Sequence, residues 1–233
     1  MIPLRDNVAP RRLTPINSAL IAANVAVFVY ELSLGTRVAA FVERFALVPA
    51  AVTRALTSGA HRNVEALAPL MTTVTSMFVH GGFWHIAGNM LYLFIFGAAV
   101  EYRLGALRYL IFYFAAGIAA ALATVWIAPE SSVPVIGASG AIAGVLGAYF
   151  ILYPRGRILT ILPIFIFIQF VEIPAVIYLL FWFAVQLYAG LEQSGGAAAM
   201  GGVAWWAHVG GFMFGIALGP MLAVNRPRRR RSR

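Results

Sequence analysis

Long apolar stretches separated by more polar segments dominate the pattern along the chain. Six of them approach the length that a membrane-spanning helix needs, about 20 apolar residues. They lie at 16–34, 83–100, 107–128, 139–153, 174–191 and 203–224. The first follows three arginines, as the core of a signal peptide would, but it is longer than a usual core, so we expect it to remain as an anchor. The pattern predicts an all-α, polytopic membrane protein with a six-transmembrane-helix bundle over 16–224.

Residues 158–191 break this pattern, because they are too long for one span and rather short for two. Glu172 and Pro174 are among the residues that interrupt the apolar run. We expect 158–171 to lie at the membrane interface or to re-enter the membrane, and 174–191 to form the single crossing.

The first connection, at about 35–82, is long for a compact bundle, and long loops are usually functional or disordered. Its apolar residues, such as Phe41, Leu47 and Leu70, argue against disorder. We expect this external loop to lie on or in the outer leaflet.

The composition agrees with lipid as the main solvent. Of the 233 residues, 61% are hydrophobic and 11% are charged, whereas soluble domains carry about 25% charged residues. No cysteine is present, so disulfides, thiolate catalysis and cysteine metal sites are excluded.

Arginine supplies the whole basic charge, since all 17 basic residues are Arg and the net charge is +9. If the N-terminus is cytoplasmic, 13 of the 17 lie on the cytoplasmic side and the other four lie in the first loop. By the positive-inside rule, 1–15 is then a cytoplasmic N-terminal segment and 225–233 an Arg-rich cytoplasmic tail. This distribution indicates contact with the lipid bilayer and argues against nucleic acid. The Arg-, Ala- and Gly-rich composition favours a bacterial plasma membrane.

Four polar residues inside the predicted spans share one depth. His85 and Asn89 are four apart on the second span, Ser139 begins the fourth, and His208 lies near the start of the sixth. All three spans run from outside to inside, so these side chains lie within roughly 10 Å of the outer boundary. Polar groups at such depth should face each other or a wet cavity, here toward the extracytoplasmic side.

Glycines spaced four apart on the fourth and sixth spans predict that these two helices touch. Ser139 and His208 would then lie within hydrogen-bond distance, with serine as the nucleophile and neutral histidine as its base. The turn around Gly137 and Gly140 leaves backbone N–H groups free at a helix start. Those donors, with the side chains of Asn89 and His85, are candidates for binding an oxyanion.

Each of these residues also has a structural interpretation. A serine at a glycine-rich helix start is often an N-cap, a histidine in a span can bond to a carbonyl, and an asparagine can join two helices. The coincidence of all four at one depth favours catalysis.

The sequence contains three separated motifs: Gly137-Ala-Ser139-Gly140, His80-Gly-Gly-Phe-Trp-His85-Ile-Ala-Gly-Asn89, and Ala207-His208-Val-Gly-Gly-Phe212. Together they resemble the rhomboid family of intramembrane serine proteases. The resemblance implies a six-helix core and a Ser139–His208 dyad without a third carboxylate. His85, Asn89 and the Ser139 N–H would form the oxyanion hole, and His80 would support the site. It also implies transmembrane protein substrates and neither cofactor nor metal.

One position departs from part of the family. Some members carry an aromatic residue four after the serine, packed on the catalytic histidine, where this chain has Ala143. The substitution predicts a gap beside His208, with two expected outcomes: another side chain fills the gap, or the imidazole is less restrained and activity is lower.

No acidic residue in or beside the later spans is placed to orient this histidine either. Glu101 and Glu172 are expected toward the inner side, and Glu130 and Glu192 border the outer face without a spacing that ties them to His208.

The sequence leaves three other functions open. A non-catalytic rhomboid-like protein would bind transmembrane segments, but such relatives typically lack the serine or the histidine. A metalloenzyme would use His80, His85 and His208, yet no His-Glu-x-x-His helix is present. A transporter would need polar residues at the midplane and an inverted repeat, and the sequence shows neither.

Overall fold

The computed structural model describes residues 1–8, 14–57, 64–164, 167–194 and 204–224. A strand, β1, precedes the first helix, and a hairpin, β2–β3, lies between two later helices. The strands are β1 (Ile2–Asp6), β2 (Arg157–Ile164) and β3 (Phe167–Pro174). The helices are α1 (Pro15–Ser33), α2 (Val38–Phe45), α3 (Pro49–Thr57), α4 (Val64–Thr75), α5 (Phe83–Tyr92), α6 (Ala98–Leu104), α7 (Ala106–Ile127), α8 (Ser139–Leu152), α9 (Ala175–Ser194) and α10 (Trp205–Leu222).

Each of the six predicted stretches contains a helix. Within the described residues, four helices are long and apolar enough to cross a membrane: Pro15–Ser33, Phe83–Leu104, Ala106–Ile127 and Ala175–Glu192. A π-helical segment, Leu93–Gly97, makes α5 and α6 one continuous rod. The protein is therefore a mostly helical integral membrane protein. Six crossings and cytoplasmic termini stay predictions, and the Arg-rich tail 225–233 lies outside the described residues.

A three-stranded antiparallel sheet of order β1-β2-β3 corrects the all-α prediction. The N-terminal segment supplies β1, which pairs with β2 from Ile2↔Ile161 to Asp6↔Ile158. The region 158–171, expected to be interfacial or re-entrant, forms most of the hairpin. β-Branched and aromatic residues favour strands. Pro163 lies beyond the part of β2 that pairs with β1, so its missing N–H breaks no hydrogen bond on that side.

The centre of the bundle is α8, which is buried between α7 and α10. A Cβ atom on Gly211 or Gly215 of α10 would collide with the carbonyl oxygens of Gly140 and Gly144, respectively, on α8. The two helix backbones therefore touch, as the glycine spacing predicted. A Cβ on Gly144 would also collide with Ala116 of α7.

Glu101, in α6, fixes the start of α1. Its buried carboxylate accepts hydrogen bonds from the backbone N–H groups of Ile16 (3.2 Å) and Asn17 (2.7 Å). Free N–H groups at a helix start attract a carboxylate. This acid is therefore occupied as a helix cap.

The first connection folds into the helices α2, α3 and α4. Leu47 and Val52 are fully buried and form a cluster with Ala121 and Val125 of α7. Leu47 also pairs through its backbone with Val135, in the segment that leads to Ser139. The loop thus supports the segment that presents the serine.

Candidate active site

Ser139 is the first residue of α8, directly after a constrained turn. Gly137 has a φ of +112°, which side-chain-bearing residues rarely adopt. Its N–H donates to the carbonyl of Ser76 at 2.9 Å, which ties the turn to the segment before α5. Ser139 is partly exposed.

The contact between α8 and α10 joins Ser139 to His208. The serine Oγ lies 2.7 Å from His208 Nε2. His208 is 8% exposed, so its ring is shielded from bulk solvent. A hydroxyl hydrogen-bonded to an imidazole nitrogen is the arrangement that activates serine as a nucleophile.

Gln186 of α9 contacts the other ring nitrogen of His208. No sequence motif indicated this residue as part of the site. Its Oε1 lies 2.8 Å from His208 Nδ1, and its Nε2 donates to the Trp182 carbonyl at 3.1 Å. The side chain is 6% exposed. Its signal in the sequence was a lone amide inside an apolar span, which is costly without a partner.

Two tryptophan rings flank His208. The Trp182 ring centroid lies 5.9 Å from that of the imidazole with a tilt of 37°, and Trp205 meets it edge-on at 6.2 Å. The sequence predicted a gap beside His208 because position 143 is alanine. Aromatic rings from α9 and α10 lie against the histidine instead, which agrees with the first of the two expected outcomes.

The ring of His85 places its Nε2 near Ser139. Its Nδ1 accepts a hydrogen bond from the Gly81 N–H at 3.3 Å, so the ring proton of the neutral form lies on Nε2. A Cβ built on Gly137 would lie 2.6 Å from His85 Nε2 and 3.8 Å from Ser139 Oγ. The His85 donor and the serine hydroxyl therefore border one small space.

Asn89 lies one turn after His85 on α5 and is buried. Its side-chain amide donates to the His85 carbonyl at 2.8 Å, which uses one of two N–H groups. Its predicted part in the oxyanion hole stays a prediction.

His80 lies against His85, and its predicted supporting role stays a prediction. Its ring meets His85 edge-on, with centroids 5.1 Å apart, and its Nδ1 lies 3.2 Å from the Phe78 carbonyl. The backbone N–H of His80 donates to the carboxylate of Glu31 in α1, 3.2 Å from the nearer oxygen. Burial, aided by His85, lowers the pKa of His80 to about 4. The ring is therefore neutral at pH 7.

The histidines are not arranged as metal ligands in the part of the chain that the structure describes, where no group of three His, Cys, Asp or Glu side chains is placed to hold a metal ion. His208 already uses both ring nitrogens in hydrogen bonds. Of the predicted inward acids, Glu172 pairs with Arg157 on the exposed hairpin at 3.9 Å.

Comparison with known sequences places the chain among related proteins. The family model described as Rhomboid domain matches residues 68–225. "Rhomboid protein 1, mitochondrial" of Saccharomyces cerevisiae is 32% identical over 167 residues, which is 69% of this chain and 45% of that protein.

Two relatives from Bacillus subtilis match over shorter regions. "Putative rhomboid protease YdcA" is 40% identical over 76 residues, or 33% of this chain and 38% of that protein. "Rhomboid protease GluP" is 44% identical over 75 residues, or 32% of this chain and 14% of that protein. The chain thus spans less than half the length of these curated relatives.

Proposed function

The chain belongs to the rhomboid family, and from this we propose that it is an intramembrane serine endopeptidase with Ser139 and His208 as its catalytic dyad. The observation that carries the proposal is the 2.7 Å contact between Ser139 Oγ and His208 Nε2. The two bacterial relatives named as proteases support the class of reaction.

The proposed reaction begins with the serine hydroxyl. His208 Nε2 takes its proton as Oγ attacks the scissile carbonyl carbon, and the carbonyl oxygen becomes an oxyanion. The Nε2–H of His85, the backbone N–H of Ser139 and the Asn89 amide would stabilise this charge. His208 then gives its proton to the leaving amine, which leaves an acyl-enzyme. Water, activated by the same histidine, hydrolyses the ester.

The proposed substrates are transmembrane proteins, cut in or next to a membrane-spanning segment. The partly exposed Ser139 at the start of the mostly buried α8 supports cleavage near one membrane surface. The arginine distribution supports the extracytoplasmic surface of a bacterial plasma membrane. The bacterial plasma membrane is itself a proposal, because the yeast relative is named as a mitochondrial protein.

A serine-directed activity probe tests the dyad without knowledge of the substrate. In detergent or liposomes, a fluorophosphonate should label the wild type. Ser139→Ala should abolish labelling and His208→Ala should reduce it by at least about 100-fold. Equal labelling of wild type and Ser139→Ala would disprove the serine nucleophile.

A non-catalytic rhomboid-like protein that binds transmembrane segments is the second candidate. A reporter with a helix-breaking transmembrane segment, reconstituted with the protein in liposomes, distinguishes the two. The protease gives cleavage products with wild type and none with Ser139→Ala. A reporter that binds both proteins and is cut by neither would favour the binding function.

A further inference from the structure

A chain of polar contacts runs across three helices behind the serine. It starts at the Trp182 carbonyl on α9, passes through the Gln186 amide to His208 on α10, and ends at Ser139 on α8. Trp182 and Gln186 are four apart, so they share one face of α9. Gln186 and His208 are both at least nine-tenths buried, at 6% and 8% exposure.

The first contact fixes how the glutamine amide is turned. A backbone carbonyl only accepts hydrogen bonds, so the amide group facing Trp182 must be the NH₂. The oxygen of the amide then faces His208 Nδ1 and can only accept. Nδ1 must therefore carry the proton of the neutral imidazole.

The tautomer decides what the other ring nitrogen can do. With the proton on Nδ1, Nε2 presents a lone pair to the Ser139 hydroxyl 2.7 Å away. In the opposite tautomer, Nε2–H would point at the hydroxyl and could not accept its proton. A base held in the wrong tautomer loses most of its activity in serine hydrolases.

We propose that Gln186 is a positioning residue that holds His208 in the Nδ1–H tautomer and so keeps Nε2 ready as the base. The inference rests on the proposed function and adds a neutral third member to the dyad. A carboxylate in this place would attract the protonated ring by its full charge. The amide oxygen orients the ring with a dipole alone, so it favours the imidazolium less.

A purely structural Gln186 would only join α9 to α10. That role predicts a loss of thermal stability on substitution, with no change in the histidine tautomer or in the pH profile. Gln186→Met, which keeps the length of the side chain and removes the acceptor, separates the roles. Gln169→Met is the matched control, because Gln169 is an exposed glutamine of β3.

The first measurement needs no activity. The ¹⁵N shifts of the His208 ring, identified by comparison with His208→Ala, report the tautomer near pH 8. We expect Nδ1–H in wild type and Gln169→Met, and a mixture or the Nε2–H form in Gln186→Met. An unchanged Nδ1–H tautomer in Gln186→Met would overturn the proposal.

The second measurement uses the reporter cleavage assay. Gln186→Met should lower kcat at least about tenfold with KM within about twofold. Gln186→Glu, which keeps an acceptor at this position, should retain activity at alkaline pH. It should also move the acidic limb of kcat/KM to higher pH, because its carboxylate stabilises the protonated ring. Coincident pH profiles for wild type and Gln186→Glu would contradict the assignment. If wild type neither cleaves nor labels, the proposed function fails, while the ¹⁵N comparison still tests Gln186.

Discussion

Gly137 has a positive φ and lies close to the ring of His85, so a side chain at this position should have two separate effects. A side chain at φ +112° strains the turn before Ser139, and a Cβ there would lie 2.6 Å from His85 Nε2. Gly137→Ala should therefore displace His85 and lower kcat/KM at least about 100-fold. Reporter cleavage and thermal unfolding measure the two effects.

Gly35 provides a control for the strain alone. Its φ is +54°, and a Cβ there would meet no atom within 4 Å. Gly35→Ala should cost about 1–2 kcal/mol of stability and leave kcat/KM nearly unchanged. If Gly137→Ala kept wild-type activity, the placement of His85 beside the serine would be wrong.

Trp182 lies beside His208, where Ala143 was expected to leave a gap. Trp182→Ala removes the ring that lies 5.9 Å from the His208 centroid, so the imidazole gains freedom. We expect kcat to fall about tenfold, with Trp182→Phe retaining most activity because a ring remains. If Trp182→Ala had wild-type kcat, the tryptophan would not restrain the histidine.

At the scale of elements, the contact between α8 and α10 positions Ser139 and His208 relative to each other. Gly215→Ala places a methyl group against the Gly144 carbonyl and forces the helices apart. We expect a loss of about 1–3 kcal/mol in unfolding free energy and a drop in activity. Unfolding in mixed micelles and probe labelling measure the effects.

Gly88→Ala is the matched control in α5. A Cβ at Gly88 meets no atom within 4 Å, and alanine favours helix. This variant should be as stable as wild type or slightly more so. Equal destabilisation by both substitutions would show that the α8–α10 contact is not the cause.

The β2–β3 hairpin exposes large apolar side chains. Phe167, Ile168 and Phe170 of β3 are each about two-thirds exposed, at 65%, 66% and 65%. Neighbouring strand residues point to opposite faces, so both faces of β3 are apolar here. Near the other end, Arg157 and Glu172 pair in an exposed position. This distribution agrees with the interfacial position predicted for 158–171.

Spin labels can measure the depth of the hairpin, since the chain has no native cysteine. Labels at Ile168→Cys and Phe170→Cys in liposomes should collide readily with oxygen and poorly with a polar nickel complex. Leu180→Cys on α9 is the lipid-facing control, and Glu130→Cys is the water-facing one. Labels on β3 that behave like Glu130→Cys would place the hairpin in water.

At the scale of the whole molecule, the arginine count predicts which side holds the active site. Glu130, in the connection before Ser139, should be extracytoplasmic, and Arg155, after α8, should be cytoplasmic. In intact cells, a membrane-impermeant thiol reagent should label Glu130→Cys but label Arg155→Cys only after lysis. The reverse pattern would invert the topology.

Local sequence patterns were enough to predict much of this protein. Apolar length and arginine distribution indicated the membrane domain, because transfer into lipid depends on composition alone. Glycines four apart predicted the α8–α10 contact, since that spacing leaves one helix face without side chains. Ser139 and His208 could be paired in advance because both lie near the starts of those touching helices.

The tertiary structure decided what depends on distant partners. β1 pairs with a strand more than 150 residues later, and its polar-interrupted sequence gives no register for that pairing. Gln186 and Trp182 face His208 because of how α9 is rotated against α10, and spacing within one helix does not set that rotation. The sequence placed Glu101 at the inner end of its helix but gave it no partner, and only the packing of α1 brought free N–H groups against its carboxylate. The sequence by itself thus determined which polar groups are costly to bury in lipid without a hydrogen-bond partner. Tertiary packing decided which of these groups contact one another.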